Sequence, residues 1–481
     1  MTVLRAPGLI TGYMILALAV AMLAPALANI ADPEADAAPF VVGAVMTGFL
    51  GGALAFGLSG PTPELSPRAA VVLTTLSWAV LTVLAAIPFR LAGMAATDAV
   101  FEAMSGLTTT GATVITNLEA QSRGLLLWRA ILQWIGGVGI IVTAMAILPM
   151  LRVGGMQLFR LESSDASEKI LPRATEIAGS IALIYLILTV VCVLAYALAG
   201  MSGFDAVAHA MTTIATGGFS TSDRSMGAFV DGGADIVACV FMLAGGLPFG
   251  LYLIALRGGA DRLWRDAQSR GFLIVAVSLL SVLAVYLWVS GRTEGAGDAV
   301  RLAAFNVISI LTGTGYASAA YDQWGAFAVG FFFCLMFVGG CAGSTACGIK
   351  IFRFQVAGIA MFGFLAKMAR PHVVTRPKYN GKTLSESVVG SVLSFFFIFF
   401  ACYTVLAIGL SALGLDLITA LSGAGTALAN VGPGLGPIIG PAGTFAPLPD
   451  AAKWLLCLGM LAGRLEVLAF LVLFAPSFWR N

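Results

Sequence analysis

The chain has 481 residues, 59% of them hydrophobic and only 10% charged, with a formal net charge of +2. These proportions argue against a soluble globular protein and against a nucleic-acid partner, and they fit a polytopic, all-α membrane protein in a lipid bilayer. Two histidines and seven cysteines show no HExxH or CxxC spacing, so metal hydrolysis has no support. The cysteines lie in apolar stretches, as small hydrophobes do.

From the N-terminus, apolar runs able to cross a bilayer fall at 8–30, 38–60, 69–90, 124–150, 176–200, 234–256, 271–290, 325–350, 388–412 and 451–475. The first ends in Ala26-Leu27-Ala28, like a signal-peptide cleavage site, but it is long for a signal sequence and reads as an uncleaved span. Ten transmembrane helices put both termini on one side. Lysine and arginine divide 18 to that side and 7 to the other, where Arg129 and Lys453 are counted, with Arg464 inside a span. Both termini are therefore expected in the cytoplasm. The longest cytoplasmic loop, 353–387, is basic.

Four segments on the outer side, 96–107, 204–214, 298–311 and 416–428, are too short to cross. They suit half-helices that dip into the membrane, with Asp98, Asp205, Asp298 and Asp416 capping their starts. Each ends in a similar signature: Thr109-Thr110-Gly111, Ala215-Thr216-Gly217, Gly313-Thr314-Gly315 and Asn430-Val431-Gly432. Aligned on Gly111, Gly217, Gly315 and Gly432, the signatures recur at intervals of roughly 100 residues. The chain then divides into two extra N-terminal helices (1–67) and four membrane–pore helix–membrane repeats, 68–152, 153–258, 259–353 and 354–481.

A dehydrated cation needs oxygens to replace its water shell. Glycine allows the backbone angles that turn successive carbonyls toward one axis, and threonine adds a hydroxyl. Pore helices pointing inward bring their negative C-terminal ends near the ion. Four such strands around one pore make a carbonyl-ring cation filter, and the fourth, with Asn430 and Val431, departs most.

Two further stretches stand out. Gly339-Gly340-Cys341-Ala342-Gly343-Ser344-Thr345-Ala346-Cys347-Gly348, followed by Ile349-Lys350, is poor helix material within a span. It reads either as close helix packing or as a broken helix whose loop crosses the path below the filter and gates it. Arg464, in Gly463-Arg464-Leu465-Glu466, is costly in a span unless it faces water or a partner. Glu102 is expected at the outer mouth, and His209 as a hydrogen-bonding residue toward a neighbouring repeat.

The stretches FEAMSGLTTTGAT (101–113), WRAILQWIGGVGIIV (128–142), ATGGFST (215–221), FNVISILTGTGYA (305–317), GGCAGSTACGIK (339–350), ANVGPGLG (429–436) and GRLE (463–466) together resemble the Trk/Ktr/HKT superfamily, nearest its Trk-type potassium uptake subunits. The resemblance implies a potassium path with potassium ions in the filter and no organic cofactor. It also implies a gating loop at 339–348 and a pore arginine, Arg464, that meets it. It further implies a homodimer in the bacterial inner membrane, regulated by cytosolic nucleotide-binding subunits. The loop departs from the usual Gly-Ser-Thr-Gly-Gly-Gly at Ala346 and Cys347, and Pro248 stands where asparagine is common. Neither departure touches the filter. A sodium-conducting or sodium-coupled transporter is the alternative. An inverted-repeat transporter would need halves of opposite topology, and an enzyme would need convergent catalytic groups.

Overall fold

The computed structural model describes residues 2–60, 66–146, 155, 174–259, 261–373 and 377–480. The expected boundary at 152/153 lies outside these residues, as do Arg152, Arg160, Lys169, Arg173 and Arg376, which counted toward the charge bias. Among the described residues, 8 helices are long and apolar enough to cross a bilayer, and Asp450–Arg464 with Leu468–Phe474 forms one further bent pair.

One order of elements runs four times: a long helix, a short helix, a non-helical strand and a second helix. The first repeat has Pro67–Leu91, Ala96–Leu107 and Arg123–Ala146. The second has Ala174–Leu198, Gly203–Ile214 and Ala234–Gly246. The third has Ala267–Val289, Ala296–Leu311 and Ala326–Leu335, and the fourth Glu386–Ala412, Leu417–Ala429 and Asp450–Arg464. At 12, 12, 16 and 13 residues the short helices reach only about 18–24 Å, less than the roughly 30 Å of hydrocarbon they would have to cross.

The starts of these short helices differ from expectation. Asp416 does cap its helix, accepting from the amides of Ile418 and Thr419. In the second repeat the cap is Ser202, whose hydroxyl accepts from the Asp205 amide. The helices that begin near Asp98 and Asp298 have no side-chain cap. Asp98 instead pairs with Lys453 at 2.6 Å.

The second helices of the repeats are the least alike. Arg123–Ala146 is continuous. Ala234–Gly246 stops at Leu247, which is extended as a residue before proline prefers to be, and Pro248 starts a new helix, Phe249–Ile254. Asp450–Arg464 ends in a 106° bend. In the third repeat the expected span 325–350 is not one helix: Ala326–Leu335 gives way to a loop, and helix resumes at Ile351–Ala369. Four glycines between 339 and 348 make continuous helix unfavourable there. The same helix replaces the start of the expected loop 353–387 and runs through the expected boundary at 353/354. Its exposed face, with Phe362, Phe364 and Met368, is apolar and suited to lipid.

The N-terminal helices Thr2–Ala21, Leu23–Ile30 and Ala38–Gly57 pack outside the repeats. Asn29 stitches them on: its Oδ1 accepts from the Gly124 amide at 2.7 Å, and its Nδ2 donates to Asp36 O at 2.8 Å.

Candidate functional site

The four signatures meet. Each short helix ends when one residue takes a positive φ: Thr109 (53°), Thr216 (48°), Gly313 (70°) and Asn430 (52°). The next residue donates its amide to a carbonyl five residues back, Thr110 to Ser105 at 2.9 Å, Gly217 to Thr212 at 2.8 Å, Thr314 to Ser309 at 2.8 Å and Val431 to Thr426 at 3.0 Å. A glycine of positive φ follows in each: Gly111 (85°), Gly218 (79°), Gly315 (80°) and Gly432 (108°). The structural register therefore pairs Gly218, not Gly217, with Gly111. Two adjacent glycines hide this in the sequence, because only backbone angle separates their roles. Ala215 then falls at the helix C-cap rather than in the strand.

A side chain on any of these four glycines would meet the next repeat's backbone. A Cβ on Gly111 would strike Gly217 O, one on Gly218 would strike Thr314 O, one on Gly315 would strike Val431 O, and one on Gly432 would strike Thr110 O. The sequence of contacts runs from the first repeat through the fourth and back to the first, which closes a ring with no partner chain. Threonines in left-handed geometry cost about 1–3 kcal/mol each, so Thr109 and Thr216 are held there by their surroundings. The Thr108–Thr110 hydroxyl pair at 2.7 Å and the 2.9 Å bond from Asn430 Nδ2 to Thr110 Oγ1 supply part of that hold at Thr109, and an equivalent 2.7 Å pair, Thr312–Thr314, flanks Gly313.

Gln133 is a residue that sequence reading missed. Its Nε2 donates to Gly217 O at 2.5 Å and its Oε1 accepts from the Phe219 amide at 3.0 Å, so the second strand is gripped from behind. Glu102 does not face the mouth. It is fully buried, ion-paired to Arg129 Nε at 2.7 Å, and accepts from the Val114 amide at 3.0 Å. Arg129 is likewise no outer-loop charge, being 1% exposed within its helix, and Lys453 is buried beside Asp98. The His209 ring bonds within its own repeat, Nδ1 to Asp205 O at 2.8 Å and Nε2 to Ser220 Oγ at 3.0 Å; Tyr316 of the third repeat packs against that ring and donates its hydroxyl to the His209 backbone carbonyl at 3.3 Å.

Beneath the ring, at the C-terminal ends of the short helices, lies the loop that breaks the third repeat. Helix ends leave carbonyls without intrahelical donors. The loop satisfies several: Gly348 N donates to Ala429 O at 2.8 Å, Cys347 N to Thr312 O at 3.4 Å, and Thr345 Oγ1 to Ile214 O at 3.0 Å. Thr345 N also donates to Gly245 O, Cys341 N to Gly246 O and Ala342 N to Gln268 Oε1, all at 3.0–3.1 Å. Ser344 Oγ closes the turn onto Cys341 O at 2.6 Å, and Phe249 N reaches Gly343 O at 2.9 Å. Gly339 N donates to Ile349 O, and Ile351 N to Gly340 O.

Arg464 enters from the opposite side. Its Nη1 donates to Cys347 Sγ at 3.1 Å and its Nη2 to Gly136 O at 3.1 Å, while Thr109 Oγ1 lies 3.5 Å from the same sulfur. Lys350 Nζ donates to Ala346 O. Arg464, Lys350, Cys347, Gly348 and Asn430 share a cavity of about 30 Å³ just under the ring, room for a water molecule or two. Behind it, Arg353 pairs with Glu466 at 2.5 Å and stacks 3.7 Å from the Phe395 ring centre. Above the ring a wider cavity of about 190 Å³ opens, lined by Gly111, Gly218, Gly315 and Gly432 at its base.

Comparison with known proteins agrees with this architecture. A family model described as TrkH, cation transport protein, matches residues 38–481. The Trk system potassium uptake protein TrkI of Halomonas elongata is 48% identical over 470 residues, covering 97% of this chain and 95% of the relative. TrkH of Vibrio parahaemolyticus is 37% identical, with 98% of each chain covered. The crystal structure of the potassium transporter TrkH from Vibrio parahaemolyticus superposes with a TM-score of 0.92 at 36% identity, covering 99% of each chain. This chain is an integral membrane transport protein, not an enzyme, and belongs to the TrkH family of cation transport proteins.

Proposed function

We propose that this protein is a potassium-selective uptake pore of a Trk system in the bacterial inner membrane, with both termini cytoplasmic. The observation that carries the reading is the closed ring, in which four repeats of one chain converge on four positive-φ glycines. The names of the relatives add the ion: Trk system potassium uptake proteins. Potassium ions are the cargo, held in turn by carbonyls of Thr109–Gly111, Thr216–Gly218, Gly313–Gly315 and Asn430–Gly432 as they shed water. The membrane potential supplies about 2.3 kcal/mol per ion per 100 mV for inward movement.

The loop 339–348 with Arg464 is the gate. It fills the space under the ring with backbone and a guanidinium, and a fixed positive charge there opposes a cation. Opening requires the loop to release the helix-end carbonyls it now satisfies. A homodimer, regulated by nucleotide-binding subunits on the basic inner face, is the assembly this reading implies.

The test is rubidium uptake into proteoliposomes with sodium as competitor. The intact protein should favour rubidium, and Gly111→Ser should reduce that preference because its side chain would push on the Gly217 carbonyl. Equal rubidium and sodium flux through the intact protein would sink the potassium reading and leave the sodium-conducting alternative.

A further inference from the structure

Behind each strand of the ring, one polar residue of the short helix reaches back to the segment beyond the ring glycine. In the first repeat Glu102, eight residues before Thr110, accepts from Thr113 Oγ1 at 3.0 Å and from the Val114 amide. In the second, His209, eight before Gly217, meets Ser220 Oγ at 3.0 Å. In the third, Asn306, eight before Thr314, donates to Ser318 Oγ at 2.9 Å and accepts from the Ser318 amide at 3.3 Å. In the fourth, the matching position is Gly423, and its neighbour Ser422 accepts from the Leu435 amide at 2.9 Å. Four unlike residues make the same buckle.

The first buckle differs in carrying charge and in crossing a repeat boundary. Arg129 donates through Nε to Glu102 at 2.7 Å, through Nη2 to Thr113 Oγ1 at 3.1 Å, and through Nη1 to Ser220 O of the second repeat at 2.8 Å. Its guanidinium lies 4.0 Å from the Phe219 ring centre. Glu102 and Arg129 are both essentially unexposed, so the pair sits in low dielectric, where it is stiff and where loss of one partner strands the other. Ser220 O and the Ser220 hydroxyl are thus held from two repeats at once, only two residues past Gly218.

We propose that Glu102 and Arg129 are positioning residues for ion selection. They form a buried charged clasp that fixes the spacing between the first and second strands of the ring, touching no ion themselves. This rests on the ring being the selective element. A carbonyl ring discriminates between cations by cavity size or by the field of its oxygens, and both depend on strand spacing. Loss of the clasp widens the range of that spacing at the junction of Gly111 with Gly217 O, while the other three junctions stay as they are.

The experiment measures the rubidium-to-sodium flux ratio in proteoliposomes for the intact protein and for Glu102→Gln, Arg129→Lys and Thr113→Val. Glu102→Gln should lower the ratio about tenfold with rubidium flux retained, and Arg129→Lys, which keeps charge but loses the fork, by about threefold. Thr113→Val removes only a hydroxyl and strands no charge, so it folds even where the others fail, and it should lower the ratio about twofold. Asp98→Asn, which breaks the Asp98–Lys453 pair at the far end of the same helix, should leave the ratio unchanged. A ratio unaltered in Thr113→Val and in every recovered clasp variant, or lowered equally by Asp98→Asn, overturns the assignment. An intact protein that shows no preference fails earlier, at the potassium reading itself.

Discussion

The ring and the layer beneath it are built from the same four repeats, yet they obey different rules. In the ring, four strands with different sequences take the same pair of positive-φ positions and the same five-residue amide bond, so symmetry survives the change from threonine to asparagine and valine. In the layer below, the four second helices end four ways: unbroken at Arg123–Ala146, broken at Pro248, opened into a long loop after Leu335, and bent through 106° after Arg464. An ion surrounded on all sides needs ligands from every repeat, whereas an obstruction in a pore needs only one side to supply it. On the proposed function, selection would constrain backbone geometry four times over, and gating would leave three repeats free to diverge around one loop.

The largest effect that separates these rules is expected in the ring's register. Gly218→Ala places a Cβ at positive φ and against Thr314 O, a backbone atom that has no room to yield. Gly217→Ala has no positive φ to satisfy and meets the side chain of Gln133, which can rotate away at the cost of its bonds to Gly217 O and Phe219 N. The rubidium-to-sodium ratio should therefore fall by about tenfold or more in Gly218→Ala and only about twofold in Gly217→Ala. The reverse order would return the second repeat to the register suggested by aligning threonine–glycine pairs.

That register shows what was legible in the sequence and what was not. Hydropathy and four spaced signatures were enough for the helical membrane fold and the recurring short helices, since these depend on composition over many residues. ATGGF offers two glycines, and the choice between them is made by φ, which composition does not encode. Arg129 and Lys453 count as outer charges on sequence because each lies within a few residues of the outer end of its span, 124–150 and 451–475. Their partners, Glu102 and Asp98, are 27 and 355 residues away and become neighbours only through the fold. Helix Ile351–Ala369 was hidden for the opposite reason, its one arginine and one lysine marking a loop while Phe362 and Phe364 faced outward.

The next effect belongs to the lower layer. Arg464→Ala removes the guanidinium that bonds Cys347 Sγ and Gly136 O, two anchors on different repeats, and takes away a positive charge directly under the ring. Rubidium flux should rise by about fivefold with the rubidium-to-sodium ratio preserved, because the ring is untouched. Deletion of 342–347 should act in the same direction and more strongly. If flux stayed flat or fell in protein recovered intact, or if the ratio changed as much as the flux, the division into a selecting ring and a gating layer would be lost.

The smallest effect is expected at the rim above the ring, where the first and second repeats also touch. Glu119 Oε1 accepts from the Ser222 hydroxyl at 2.6 Å and from the Asp223 amide at 3.1 Å, and Asp223 in turn accepts from the Leu118 amide at 3.0 Å. The Ser222 hydroxyl holds the Glu119 carboxyl below its usual 4.5. With the folded-state value depressed, the stabilisation is fully present above the unfolded value and is lost as pH falls through the folded one. The carboxylate is largely in water, so the strap is weak. Thermal unfolding of the purified protein should be the same for the intact chain and Glu119→Gln below that pH, with a small advantage to the intact chain above it. The rubidium-to-sodium ratio should match in the two at neutral pH. A ratio that followed Glu119 would mean that strand spacing is set from the rim rather than from behind the ring, and would remove the contrast between a rigid selecting ring and the looser structure on either side of it.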